Sequence, residues 1–318
     1  MIVDVHSHLI PREFVPPNAV AAMTLMADVE GFLRAHAESP IDFSVLSQPL
    51  LLEARLAEGP ERVLDLARRC NDFLADLVAR YPDRFVALAA IWPQGGAGQL
   101  REFERCVREL GMRGAMVCPR YGDRWLDAPE ARDFLALAVE LDVPVYLHPP
   151  GVTFAKPHLA VCRLDETIGR GLETTIALGR LIMTGVLEQL PRLKLVASHV
   201  GGGLPALLGR LEYSYEIRHQ PTYALDPELP LPPSAYARRI WVDTVAFWPP
   251  AIRAALDTFG PDKVMLGTDT PPLPIPLARS VEIVRALGLA AATERAILGE
   301  NAIALFRLPW RAGKTTGS

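Results

Sequence analysis

The 318-residue chain has little of what would mark a compartment or a macromolecular partner. Its four cysteines, Cys70, Cys106, Cys118 and Cys162, lie far apart with no CxxC spacing, so they read as reduced, partly buried thiols of a cytoplasmic protein. Neither sign of charge is in excess. The 33 basic and 37 acidic residues leave a net charge of −4 with no long block of either sign, which argues against a nucleic acid or an anionic membrane as partner. No apolar run reaches the length of a bilayer span, since Asp28 and Glu30 follow closely on the greasy stretch Ala19–Met26. Met1 leads straight into a strand pattern without the features of a signal peptide. Repeats and low-complexity linkers are also missing. One domain over residues 1–310 is therefore expected, followed by a disordered tail, Arg311–Ser318. What the chain does have is apolar residues, 50% of the total, enough for a full core.

These apolar residues fall into short β-branched runs at Ile2–Val5, Phe43–Leu46, Phe85–Ile91, Ala115–Cys118, Val143–Leu147, Leu193–Ala197, Ile240–Val242 and Val264–Leu266. Between the runs lie stretches of helical period, such as Val63, Leu66, Ala67, Cys70, Phe73, Leu74, Leu77 and Val78, bracketed by Pro60 and Pro82. Turn signals of the helix-to-strand kind precede several strands, as in Leu110-Gly111, Pro191-Arg192 and Gly260-Pro261. Strand and helix alternating eight times predict an α/β fold, a (β/α)8 TIM barrel. A helix is expected over Asp28–Glu38, and a rigid proline-rich loop over Asp226–Ser234.

The first strand ends in His6-Ser7-His8. Residues i and i+2 of an extended segment point to one side, so both imidazoles can reach one ion, although a histidine pair can also cap a barrel mouth without metal. In a barrel the chemistry sits at the carboxyl ends of the strands. His148 follows the fifth apolar run, His199 the sixth and Asp269 the eighth, so the strong ligand types gather at that end. His36, His158 and His219 fall in helices or loops.

With these residues placed, the chain resembles the amidohydrolase superfamily: HxH on strand one, His on strand five, Ser198-His199-Val200-Gly201-Gly202-Gly203 on strand six and Gly267-Thr268-Asp269 on strand eight. Within the superfamily it is similar to the branch of aminocarboxymuconate semialdehyde decarboxylase and the aromatic acid decarboxylases. The likeness runs from Phe43 to Phe306 and includes Arg80-Tyr81-Pro82-Asp83-Arg84-Phe85, Glu173-Thr174-Thr175, Gly185-Val186-Leu187 and Phe259-Gly260-Pro261-Asp262-Lys263-Val264. The resemblance implies a distorted barrel of the metal-dependent hydrolase type. It also implies that His6, His8, His148 and Asp269 hold one divalent metal, zinc first and manganese second. His199 would then serve as acid or base, with Asp269 beside it as a second catalytic group. Strand four ends Met116-Val117-Cys118-Pro119, without the lysine that bridges two metals in many relatives, so one ion is expected. Arg210 matches an arginine that reaches a carboxylate substrate across a homodimer interface; an ion pair on the helix surface is the other reading.

Departures from that branch bear on the substrate. The insertion between His8 and strand two that carries a carboxylate-binding arginine is missing, Pro150 replaces an aromatic after His148-Pro149, and Thr270-Pro271-Pro272 replaces Tyr-Pro-Phe. Arg120, just after strand four, is a candidate replacement anchor for the carboxylate of a small-molecule acid. Glu173 either supports the metal shell or opens its helix. The triple glycine lets the backbone pass close beneath the site, or cradles a phosphate. Trp125, Phe247 and Trp248 line an apolar pocket or pack in the core. Gly313-Lys314-Thr315 lacks the context of a phosphate-binding loop and is set aside.

The expected activity is non-oxidative decarboxylation of a small aromatic or unsaturated carboxylic acid, with His199 or Asp269 delivering the proton. A hydrolase or hydratase acting on a lactone, amide or unsaturated acid would use the same constellation. A non-catalytic barrel with a structural metal is the third reading.

Overall fold

A computed structural model describes residues 1–48, 50–151, 154–225 and 227–309. Eight parallel strands form the barrel: β1 (Val3–His8), β2 (Phe43–Ser47), β3 (Phe85–Ala87, resumed as Ala89–Ala90), β4 (Ala115–Val117), β5 (Val145–Leu147), β6 (Leu195–Ala197), β7 (Ile240–Asp243) and β8 (Val264–Met265). They pair in sequence order. The amide of Val5 on β1 donates to the carbonyl of Leu266 beyond β8 at 2.9 Å and closes the ring. The interruption of β3 has a simple cause. Leu88 donates to Leu46 on the β2 side and Ala89 to Gly114 on the β4 side, both at 2.8 Å, so at Leu88 the pairing passes from one neighbour to the other.

Alternate residues of the strands point inward and fill the barrel: Val3, Val5, Phe43, Val45, Val86, Leu88, Met116, Tyr146, Val196 and Met265 are all buried. The helix Asn301–Phe306 contributes Ala302, Leu305 and Phe306 to the same cluster. The opposite, carboxyl end of the strands is the polar one. The outer face of the barrel packs against helices such as Pro60–Arg80, which buries Val63, Leu66, Ala67, Cys70, Leu74 and Leu77 at helical spacing and begins with the expected proline.

The helix predicted over 28–38 spans Val29–Ala37, with the Asp28 carboxylate accepting from the Gly31 amide at 2.9 Å. The proline-rich segment differs from expectation at its end: Pro233–Ala237 is a helix, because a proline in the first helical turn lacks only an amide that had no partner there. Asp226 and the tail Arg311–Ser318 lie outside the described residues. No described helix is long and apolar enough to cross a membrane.

Candidate metal centre

Between Asp4 and Ser7 the register of β1 against β2 shifts. At that irregularity the His6 amide donates to Asp4 Oδ1 at 3.0 Å. It leaves both histidines of β1 fully buried at the carboxyl end of the barrel. There His6, His8, His148 and Asp269 each turn one donor atom to a common centre, all within 4.8 Å of one another. His6 Nε2 lies 3.0 Å from His8 Nε2, and His8 Nε2 lies 3.2 Å from His148 Nε2. Asp269 Oδ1 is 3.4 Å from both His6 Nε2 and His8 Nε2. Donors about 2.1 Å from a tetrahedral ion are separated by about 3.4 Å, so these spacings fit one small divalent cation. Asp269 Oδ1 is buried and accepts no hydrogen bond among the described residues, as expected of an oxygen meant for a cation.

The imidazoles are oriented by their other nitrogens. His6 Nδ1 is 2.7 Å from Asp243 Oδ2, His8 Nδ1 is 3.1 Å from Ser47 Oγ, and His148 Nδ1 is 3.0 Å from the Pro149 carbonyl. With those contacts made through Nδ1–H, each Nε2 lone pair faces the centre. Burial pushes His8 and His148 down from the ordinary histidine range, and for His148 the neighbouring His8 and His6 add to this. Burial opposes ionisation of Asp269, but His6, His199 and His8 hold its carboxyl well below the usual range. His6 goes the other way: burial disfavours its charge, yet Asp269 and Asp243 outweigh that and raise it. A neutral pair of imidazoles beside ionised carboxylates is a site with negative charge to offer a cation.

Asp243 was not singled out from the sequence. It ends β7, is wholly buried, and accepts four hydrogen bonds: from His6 Nδ1, from Tyr146 Oη at 2.6 Å, and from the amides of His199 and Val245 at 2.8 and 2.9 Å. Burial opposes its charge, and hydrogen bonding to His6 nevertheless lowers its pKa. Its signal was present: like His148, it directly follows an apolar run at the catalytic end.

His199 stands outside the ligand set. Its Nε2 lies 3.5 Å from Asp269 Oδ2, and its side chain keeps 17% exposure. His199 and Asp269 both adopt left-handed backbone, at φ +56° and +55°, held by the Asp243 carboxylate and by a hydrogen bond from the Asp269 amide to the His6 carbonyl at 2.9 Å. Left-handed geometry is uncommon for non-glycine residues; it also occurs at Val200, directly after His199, and at Phe247, just beyond β7. The glycines that follow are structural. Gly202 has φ +63°, and a Cβ there would stand 2.3 Å from the Gly171 carbonyl of the preceding helix, Arg170–Met183. The Gly203 amide donates to Thr175 Oγ1 at 2.7 Å.

The remaining residues fall in different places. Arg120 is buried near the same end of the barrel, but its Nε and Nη2 grip the Glu173 carboxylate at 2.8–3.0 Å. Glu173, within helix Arg170–Met183, also accepts from the Phe154 amide at 2.8 Å. Among the described residues its hydrogen bonds go to Arg120 and Phe154 and not to the metal donors, and it lies in the first turn of its helix, where a carboxylate suits the dipole. Arg210 is exposed on helix Leu204–Glu216, its guanidinium 5.8 Å from the Tyr213 ring. Trp125 packs edge-on to Phe154, Phe247 is half-buried, and Trp248 is 64% exposed.

The amidohydrolase family profile matches residues 3–308, and the chain belongs to that family. It is similar to a gamma-resorcylate decarboxylase of Rhodococcus jostii, 32% identical over 78% of each chain. It is 29% identical to a 2-amino-3-carboxymuconate-6-semialdehyde decarboxylase of Dictyostelium discoideum, over 83% of this chain and 72% of that one. A solved 5-carboxyvanillate decarboxylase of Novosphingobium aromaticivorans, complexed with manganese and 4-hydroxy-3-methoxy-5-nitrobenzoic acid, superposes with a TM-score of 0.87. It is 25% identical and covers 97% of this chain and 96% of that one.

Proposed function

We propose that this chain is a metal-dependent, non-oxidative decarboxylase of a small aromatic acid carrying an oxygen substituent beside the scissile carboxylate. The observation that carries the reading is the convergence of three imidazole Nε2 atoms and Asp269 Oδ1 on one centre, with His199 next to that set and still open to solvent. A divalent ion held by His6, His8, His148 and Asp269 supplies positive charge that stabilises the electrons released as the carbon–carbon bond breaks. The ring carbon then takes a proton from the His199–Asp269 pair, so that carboxylate plus proton becomes carbon–hydrogen bond plus carbon dioxide. Asp243 keeps His6 in the metal-binding tautomer and pins the backbone of His199. The donor set suits zinc; manganese in the related carboxyvanillate decarboxylase makes manganese our choice for this chain.

The exposed face of helix Leu204–Glu216 supports a homodimer, since Leu207 and Tyr213 are 45% and 53% exposed beside Arg210. In that assembly Arg210 reaches the carboxylate of a substrate in the second copy. Residues 1–310 act as one domain, and the buried thiols of Cys70, Cys106 and Cys118 fit a reducing, cytoplasmic setting.

Three experiments test these assignments. Metal analysis of purified protein should give one divalent ion per chain, absent from the His6→Ala, His8→Ala double variant, and hydroxybenzoates should release carbon dioxide. Acid release from lactones with no carbon dioxide from any aromatic acid would replace the lyase by a hydrolase. Mixing His199→Ala with Arg210→Ala subunits should restore some activity; no recovery in any mixture would refute the crossing of Arg210.

A further inference from the structure

Arg120 lies just beyond β4, where the carbonyl of Val117 accepts from the amide of the metal-site residue His148 at 2.9 Å. A buried arginine in that position would ordinarily serve as an anchor for a carboxylate. Its donors, however, are already taken. Nε and Nη2 bind Glu173, and Nη1 donates to the Gly122 carbonyl at 2.6 Å. The side chains of Arg120 and Glu173 are 9% and 0% exposed, so the pair is fixed rather than exchanging with solvent. Glu53, on the short helix after β2, senses both members: burial raises its carboxyl, Arg120 lowers it and Glu173 raises it. The Arg120–Glu173 pair is thus charge-balanced by itself, with the Glu53 carboxyl within electrostatic reach of both.

We infer that Glu173 is a specificity-determining residue: by neutralising Arg120 it withholds the one positive charge of this cluster from the substrate, so that the acid accepted is a monocarboxylate whose far end is uncharged. A second carboxylate entering here would lose its hydration without gaining a cation and would face Glu53 and Glu173. A phenol or methoxy group would not suffer this, and a phenol could donate to a carboxylate oxygen. The inference rests on the decarboxylase reading only in taking the substrate to be an aromatic acid.

The test uses binding, so it stands apart from turnover. Manganese-loaded full-length protein is titrated calorimetrically with 2-hydroxybenzoate and with 4-hydroxyisophthalate, which differ by one carboxylate. The wild type should favour the monoacid by at least about tenfold, the lower bound for one unmade charged hydrogen bond. Glu173→Gln keeps the shape of the side chain but frees the charge of Arg120, and should bring the ratio to parity or invert it. Adding Arg120→Gln to that variant should restore preference for the monoacid, which a purely structural role for the pair would not produce. Equal affinity of the wild type for both acids, or affinity for neither, overturns the inference without any variant having to fold. So does a ratio unchanged by Glu173→Gln. Tight monoacid binding with no carbon dioxide released from any aromatic acid would sink decarboxylation while leaving the specificity assignment intact.

Discussion

Replacing Asp243 by Asn exchanges one carboxylate oxygen for an NH2 group and should be felt both in the fold and in the metal site. All four partners of this carboxylate are donors: His6 Nδ1 and Tyr146 Oη on one oxygen, the amides of His199 and Val245 on the other. An amide side chain has one oxygen, so whichever way it is turned, two buried donors face an NH2 group. At about 1–3 kcal/mol for each buried donor left unmade, the loss is on the order of 2–6 kcal/mol. Unfolding entropy of roughly 2.1 cal/mol/K per residue over 318 residues converts this to a fall in Tm of roughly 3–9 °C. The melt should be run in excess chelator, so that metal loss does not contribute. Metal affinity, measured by competition with a chromophoric chelator, should fall by about 10- to 100-fold, because His6 loses the acceptor that sets its tautomer. A variant that melts within a degree of wild type in chelator and competes equally for metal would refute the role assigned to Asp243.

Three further outcomes are expected. His199→Asn should retain the metal while turnover drops by roughly two to four powers of ten, whereas Asp269→Asn should lose both; metal loss in the His199 variant equal to that of a His148 variant would make strand six a ligand. Gly202→Ala combines a left-handed φ with a Cβ set against the Gly171 carbonyl, and should cost about 2 kcal/mol or more in a denaturant titration. His36, buried between Phe32 and Phe85, is pushed down from 6.5 to about 4 by burial and by Arg84. Because its folded pKa is depressed, the unfolded chain binds the proton more readily. Its contribution is thus complete above pH 6.5 and lost as pH falls towards 4. The wild-type urea midpoint should therefore fall more steeply over this range than that of His36→Gln; parallel profiles would count against the assignment.

The candidate site residues were legible because one rule places them: a residue within a few positions after an apolar strand in a barrel faces the catalytic mouth. That rule found His148, His199 and Asp269, and applied to Ile240–Val242 it also points to Asp243. Asp243 was passed over because an aspartate ending a strand carries no spacing signature of its own, while its four partners come from β1, β5, the turn after β6 and the segment just beyond β7. Arg120 shows a different limit. Its location at the mouth follows from the chain, but its neutralisation by Glu173 depends on a helix residue 53 positions away, a pairing no local pattern encodes. The break in β3 and the helix inside the proline-rich segment were likewise decided by partners remote in sequence or by a proline whose missing amide was already superfluous.

The closure of the barrel between its first and last strands has a bearing on how the protein matures. His6 and His8 are made long before Thr268, and Asp4 waits for that residue, 264 positions on, before its carboxylate finds the partners that lock β1 against β8. A nascent chain thus displays two bare histidines while the seven further strands are made and can grip an ion only weakly until the ring shuts. Capture of the metal thereby becomes a signal of completed topology: an ion held firmly certifies that all eight strands have arrived in order, and a quality-control protease that senses the vacant cage would be reading whether the barrel was ever finished.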